Sequence, residues 1–336
     1  MATAPARELK RSARLQISRG MKTVLAGTII LYIASAFFAP TSVSKVAQMG
    51  MLPFAACLAI VGLGQTLVIQ QGGIDLSVAG AVSLTVVIVT WGPDRNDDRL
   101  MPAVGAAFAA AIITGLINGF LVTKTKLNSI VATLGVNALL YGVMMGLSGG
   151  SPRRTTDRLS HFANDKTFGL PHSIYFGIIL TIIVTVLLKR TVFGRRFEAV
   201  GANPRAAHAT GLKIIRYQIG AYVAAQILYC AAGVILGGVI SQPTAYQGDD
   251  YVLPSVAIVV LGGTSLLGGR GFPAASALAA LFLKQLDMFV LSLGVPYGVR
   301  TIVISVSLML GIALYAVNWK SANFSFKKPD KELHLV

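Results

Sequence analysis

Apolar residues in this chain run in blocks long enough to cross a bilayer as helices, which takes about 20 residues at 1.5 Å rise each. Ten such blocks fall near 23–39, 47–70, 77–91, 101–122, 129–147, 173–188, 217–240, 253–268, 272–292 and 299–317. Those at 77–91 and 253–268 are short. The pattern predicts an all-α, polytopic transmembrane protein of about ten spans, some of them broken or short. A basic tail at 1–22 precedes one membrane domain at 23–318, and a second tail occupies 319–336. The apolar stretch Thr23–Ala39 follows a basic tail as in a secretory leader, but no small-residue cleavage site follows it, so it reads as a retained first helix.

One interruption stands out, in "GQTLVIQQGGIDLSVAGAVSL" at 64–84. A carboxylate in the bilayer core costs about 2.5–3.5 kcal/mol, so Asp75 should face protein, water or a helix end. Gly72 and Gly73 loosen the helix, and Asp75 or Ser77 can cap the one that follows. A second reading stays open beside this structural one, in which the break lines a translocation path and Asp75 senses solute or gate state.

Composition agrees with the pattern. Of 336 residues, 54% are hydrophobic and 12% charged, and the mean hydropathy is +0.69, too oily for a soluble protein of this length. Lysine and arginine number 29 against 13 acidic residues. They concentrate in tails and loops without interleaved aromatics, so the charge points to membrane orientation and not to nucleic acid. With the N-terminus inside, inner segments hold 20 of them, outer segments hold 8, and Lys284 falls within a span. Reading 47–91 as one crossing would instead put the basic 189–216 loop outside, so two crossings are expected.

Cys57 and Cys230 lie far apart in apolar spans and read as buried small hydrophobes. His161, His172, His208 and His334 have no ligand-like spacing, so neither a metal nor another cofactor is expected. Asp287 lies three residues after Lys284, within reach of it on a helix, and the two are expected to pair. No nucleophile–base constellation appears in the spans, which argues against an intramembrane enzyme.

Two further stretches carry information. "VVLGGTSLLGGRGF" at 259–272 echoes "VIQQGGIDLSVAGA" at 68–81, and transporters are often built from repeats with broken helices. Its Gly263-x-x-x-x-Gly268 imitates a phosphate-binding loop, but Gly269-Arg270 stands where Lys-Ser/Thr would be needed, so no nucleotide site is expected. The glycines fit close helix packing and a tight inner turn, with Thr264 and Ser265 as candidate lining groups. "FGRRFEAVGANPRAAHATGLKIIR" at 193–216 is a long inner loop with a short amphipathic pattern bounded by Gly201, Pro204 and Gly211. Glu198 and the Asn203-Pro204 helix start mark it as a docking element.

The fragments "GGIDLSVAG", "GLINGFLV", "VATLG", "FGRRFEAVGANPRAAHATGL", "SQPTAYQGDDYVL" and "AIVVLGGTSLLGGRG" resemble, in order and spacing, the membrane subunits of bacterial ribose- and monosaccharide-type ABC importers. The resemblance runs from about 45 to 318. It implies a permease subunit of the bacterial cytoplasmic (inner) membrane with both termini cytoplasmic. Its implied partners are cytoplasmic ABC ATPase subunits, an extracytoplasmic solute-binding protein and a second permease copy or homologue. ATP hydrolysis would belong to the ATPase partners, leaving this chain without covalent chemistry. By the same correspondence Arg195, Glu198, Gly201 and Asn203 are candidate ATPase-coupling residues, and Asp75, Ser77, Thr264 and Ser265 lie on motifs near the substrate pathway. The solute implied is a monosaccharide or related small polar molecule. Two departures matter: Tyr246-Gln247-Gly248-Asp249-Asp250 replaces the family's Thr-Ala-Gly-Thr-Gly-like turn, and Asn128-Ser129 replaces its proline before the fifth span. The first faces outward, where it bears on docking of the binding protein or on the specificity of the entrance. The alternative to an ATP-driven importer is a facilitator or secondary transporter, for which the spans offer few acidic groups beyond Asp75 and Asp287.

Overall fold

Helices form where the apolar blocks lie, because in lipid a backbone must satisfy its own hydrogen bonds. The computed structural model describes residues 19–309 except 152, 297, 304, 307 and 308. Most of the basic N-tail, the end of the tenth block, the C-tail and His334 lie outside the described residues. Among the described residues, seven helices are long and apolar enough to cross a membrane. In chain order the helices are α1 (Arg19–Phe38), α2 (Lys45–Gln70), α3 (Val78–Trp91), α4 (Leu100–Thr123), α5 (Ser129–Ser148), α6 (Asp157–Asn164), α7 (His172–Arg190), α8 (Val192–Ala202), α9 (Pro204–Ala209), α10 (Ile214–Val239), α11 (Val252–Leu261) and α12 (Pro273–Ser292). The chain is helical again from residue 298. Residues 71–77 leave the helical path, so 47–91 is two helices and not one.

α2 and α10 form the centre, in contact with each other, and α2 also packs on α7, α11 and α12. Leu58, Ile60, Leu63, Tyr222, Tyr229 and Ile258 are fully buried between them. α1, α4, α5 and α7 lie outside and turn apolar side chains outward, as Ile178, Ile179, Ile182 and Ile183 do on α7. Lipid is as apolar as these side chains, so cohesion inside the bundle rests on close packing at small residues and on internal hydrogen bonds. Gly177 of α7, for example, lies against Ala56 of α2.

Beyond the end of α5, α6 is capped by Thr156, which accepts from Leu159 N at 3.3 Å, and Asn164 ties it to Gly238 O at 2.9 Å. His161 lies 3.1 Å from Asp165 on its exposed face, and that carboxylate raises the imidazole pKa above its ordinary value. A two-residue antiparallel hairpin, β1 (Lys166–Thr167) and β2 (Leu170–Pro171), leads into α7.

Two sequence expectations are corrected. The eighth block, 253–268, yields a helix that stops at Leu261, because Gly263, Gly268 and Gly269 adopt positive φ in a turn over 262–272. The remaining span length is covered from the other end. After α10 the chain dips back into the bundle until Gly248 N donates to Ser83 Oγ at 2.9 Å, so α11 starts at depth. The second correction concerns Asp287, which pairs with Arg300 through two 2.6 Å hydrogen bonds instead of with Lys284. The planar guanidinium binds both carboxylate oxygens, which an ammonium one helical turn away cannot do. Lys284 lies 5.7 Å from the centre of the Tyr251 ring.

Candidate functional site

Between α2 and α3 the backbone of residues 71–77 is not helical, and its N–H groups need partners inside the membrane. α5 supplies them. Ser129 Oγ accepts from Ile74 N at 3.2 Å, Thr133 Oγ1 from Leu76 N at 2.9 Å, and Asn137 Oδ1 from Gly80 N at 2.7 Å. The three side chains are four residues apart and therefore share one face of their helix. Asn128 caps that helix by accepting from Ile130 N at 2.9 Å, which is how the chain manages without a proline there.

Asp75 and Ser77 are fully buried in this segment. Asp75 Oδ1 accepts from Ser77 N at 2.9 Å and from Ser77 Oγ at 2.6 Å, and Oδ2 accepts from Gln226 Nε2 at 3.0 Å. Ser77 Oγ in turn accepts from Asn118 Nδ2 and Gln226 Nε2, both at 2.8 Å. Two helices thus reach the break, α10 through Gln226 to both Asp75 and Ser77, and α4 through Asn118 to Ser77. The charge sits at the N-terminal end of α3, where the helix dipole favours it. In this conformation Asp75 organises the break and touches no open cavity.

At the C-terminal ends of α2 and α11 the two echoing stretches fold alike, each a helix followed by a Gly-Gly turn and another helix, and they touch. Gly269 N donates to Gln70 O at 2.9 Å, and Gln70 Nε2 donates to Gly269 O at 2.8 Å. α8 lies across this contact. Gln71 Nε2 donates to Phe197 O at 2.9 Å, and a Cβ on Gly201 would stand 2.0 Å from Gln70 O. Only glycine permits that approach. Thr191 caps α8 through Gly194 N at 3.1 Å, and Asn203 caps α9 through Ala206 N at 3.0 Å, with Pro204 at the first helical position.

The sequence-derived residues therefore separate into three places. Arg195 and Asn203 are exposed on α8 and at its end, and Glu198 is half-buried, 3.7 Å from Lys189. Gly201, grouped with them by sequence, is buried against Gln70 and Gly269 and seats α8 on the helix bundle. Asp75 and Ser77 lie in the break. Thr264 is buried and accepts from Phe272 N at 3.1 Å, while Ser265 is half-buried in the inner turn. Thr264 and Ser265 thus sit in the turn between α11 and α12, apart from the hydrogen bonds of Asp75.

Sequence reasoning missed Gln70, Gln71, Asn118 and Gln226, and it missed the Ser129–Thr133–Asn137 ladder. The signal was present: amide side chains inside apolar spans, and polar residues at four-residue spacing within one of them. Among the described residues no group of three or more His, Cys, Asp or Glu side chains could hold a metal.

Residues 48–317 match the model of a family described as branched-chain amino acid transport system / permease component. The chain is 31% identical over 293 residues to the ribose import permease protein RbsC of Bacillus subtilis (strain 168), covering 86% of this chain and 90% of that one. It is 34% identical over 261 residues to RbsC of Escherichia coli (strain K12), covering 76% and 80% respectively. With the autoinducer 2 import system permease protein LsrD of Photorhabdus temperata it shares 28% identity over 267 residues, 76% of this chain and 79% of that one. No solved structure matches it.

Proposed function

From the premise that the chain belongs to the family of branched-chain amino acid transport system permease components, we propose that it is the membrane half of an ATP-driven importer for a monosaccharide or related small polar solute. The solute class follows the relatives, which are named for import of ribose and of autoinducer 2. Solute arrives from an extracytoplasmic binding protein, and a second permease copy or homologue completes the path. Cytoplasmic ATPase subunits dock on α8 and α9 through Arg195, Glu198 and Asn203. The protein sits in the bacterial inner membrane with its termini in the cytoplasm, as the positive-inside bias favours.

One observation carries the reading: α8 rests directly on the junction of the two broken helices through Gly201, Gln70 and Gly269. A displacement of α8 by closing ATPases is delivered at once to the ends of α2 and α11 and to the turn before α12. From α2 it passes into residues 71–77, whose backbone hangs on side chains of α5 and can exchange partners more easily than a continuous helix. For accumulation to follow, solute affinity must differ between the outward- and inward-open states. An ion-coupled mechanism finds little support, since Asp75 and Asp287 are both engaged with internal partners.

The test is co-purification of the tagged chain in mild detergent from its native membrane, followed by ATP turnover and ribose uptake in liposomes. Recovery of an ATPase, lost in the Arg195→Glu/Glu198→Arg variant while the chain itself stays in the membrane, supports the reading. Ribose flux by the chain alone without ATP overturns it in favour of a facilitator.

A further inference from the structure

The segment that dips between α10 and α11 carries an unusual group of side chains to the rim of α5. Tyr141 of α5 donates to the Asp249 carboxylate, and the rings of Tyr141 and Tyr246 stand edge to face with centroids 5.3 Å apart. The turn holding them is firmly built: Gln247 Oε1 accepts from Thr244, Gly248 N donates to Ser83 Oγ, and Tyr251 beneath is buried. Yet Tyr246 is 47% exposed, and Asp249 is exposed as well.

Depth makes this exposure informative. Tyr141 lies seven residues below the outer end of α5 and Ser83 eight below that of α3, so at 1.5 Å per residue the patch is about 10–12 Å inside the bundle. A carboxylate turned to lipid at such depth costs about 2.5–3.5 kcal/mol on insertion scales. Nothing comparable appears on the outward face of α7, where Ile178, Ile179, Ile182 and Ile183 form an apolar surface. The α5 side is also open, with no atom within 4 Å of where a side chain on Gly142 or Gly146 would start.

We infer that Tyr141, Tyr246 and Asp249 line the outer half of the translocation path and form a contact site for an uncharged, polyhydroxylated solute. Two tyrosine rings offer an apolar platform for the C–H face of such a solute. Asp249, with one demand met by the Tyr141 hydroxyl, keeps lone pairs free to accept from solute hydroxyls, and charge-assisted bonds of this kind are the stronger ones. Water fills the path between solutes, which is what makes the exposed carboxylate tolerable. The inference rests on the importer reading above.

The test uses the complete importer in liposomes with ribose as probe. Cys57 and Cys230 are fully buried, so introduced thiols can be followed against a quiet background. With a membrane-impermeant maleimide added outside, Tyr246→Cys is expected to react at least about tenfold faster than Ile179→Cys, its depth-matched apolar counterpart, and ribose is expected to slow it. Asp249→Asn is expected to raise the ribose KM about tenfold, the equivalent of one charge-assisted hydrogen bond, with a smaller effect on maximal rate. Equal maleimide rates at the two positions, or an unchanged KM in Asp249→Asn, overturns the inference. If the unsubstituted importer does not move ribose, the proposed solute fails separately and the two maleimide rates alone decide.

Discussion

α2 and α5 have nearly the same mean hydropathy, 2.0 and 1.8 over their most apolar stretches, yet 89% of that stretch is buried in α2 and 28% in α5. Hydropathy identified both as spans and said nothing about which one the bundle is built around. The difference lies in the small and polar residues. Gly62 and Gly64 of α2 are pressed against Ile258 and Tyr229, while Gly135, Gly142 and Gly146 of α5 face open space. α2 spends its amides on internal contacts, with Gln65 accepting from the Tyr229 hydroxyl at 2.7 Å. α5 turns one side inward, where Thr133 and Asn137 hold a broken backbone and Val136, Leu140 and Met144 are buried, and leaves its opposite side exposed. The same apolar alphabet thus produces a buried axis and an exposed face.

The largest expected effect is at the carboxylate that closes the break where α2 ends. Asp75→Ala leaves Ser77 N and Ser77 Oγ without their acceptor and removes one of the two acceptors of Gln226 Nε2. Each buried orphan costs about 1–3 kcal/mol, and neighbours in one network do not add fully, so a loss of about 4 kcal/mol is expected. Unfolding in detergent micelles measures it. Asp75→Asn keeps one acceptor and should fall between wild type and Ala; equal losses in both variants would show that charge and not geometry matters there.

Next comes packing on the axis itself. A Cβ at Gly64 would stand 2.6 Å from Tyr229 Cε1 and 3.0 Å from Ala225 O. Gly64→Val is therefore expected to destabilise by about 3 kcal/mol, the upper range for overpacking. The same change at Gly142 meets nothing and should stay within about 0.5 kcal/mol, as exposed substitutions do. Matching losses at the two sites would erase the distinction between axis and face.

These cases also show what the sequence could reveal. Seven long apolar helices and the separation at Gly72-Gly73 were legible because long apolar blocks report directly on lipid and a Gly-Gly pair on a break in the helix. The end of α11 was not, since 262–268 is as small and apolar as a helix interior and only the positive φ of Gly263 and Gly268 shows the turn. The partner of Asp287 was hidden because Arg300 follows 13 residues later, beyond α12, while Lys284 lay conveniently close in sequence. Arg195, Glu198 and Asn203 lie exposed or half-buried on α8 and at its end, whereas Gly201 of the same helix is buried against Gln70, a difference that the sequence pattern did not show. Side-chain direction, not residue type, decides such a case.

A middle-sized effect is expected on the inward stripe of α5. Removing the acceptor at Asn137→Ala or Thr133→Ala frees the N–H of Gly80 or Leu76 in a part-buried setting. Hydrogen bonds of this kind in membrane proteins average about 0.6 kcal/mol with a maximum near 1.7, so about 1 kcal/mol each is expected. Amide exchange should rise locally over 74–80 and leave the α2 interior protected. Exchange spreading into 58–69 would mean that the break and the axis open together.

The smallest effect is the most discriminating. Gly142→Ala places a methyl group where no atom lies within 4 Å, and alanine in a helix interior is favoured over glycine by about 0.5–1 kcal/mol. If α5 merely fills space, the isolated chain should gain that stability and importer activity should not change. If its open side belongs to a path or a second permease copy, the gain in stability should come with altered uptake, because a surface that closes on something cannot accept added bulk at no cost. A gain in stability at wild-type uptake would return α5 to the status of an ordinary outer helix and reduce its contrast with α2 to position alone.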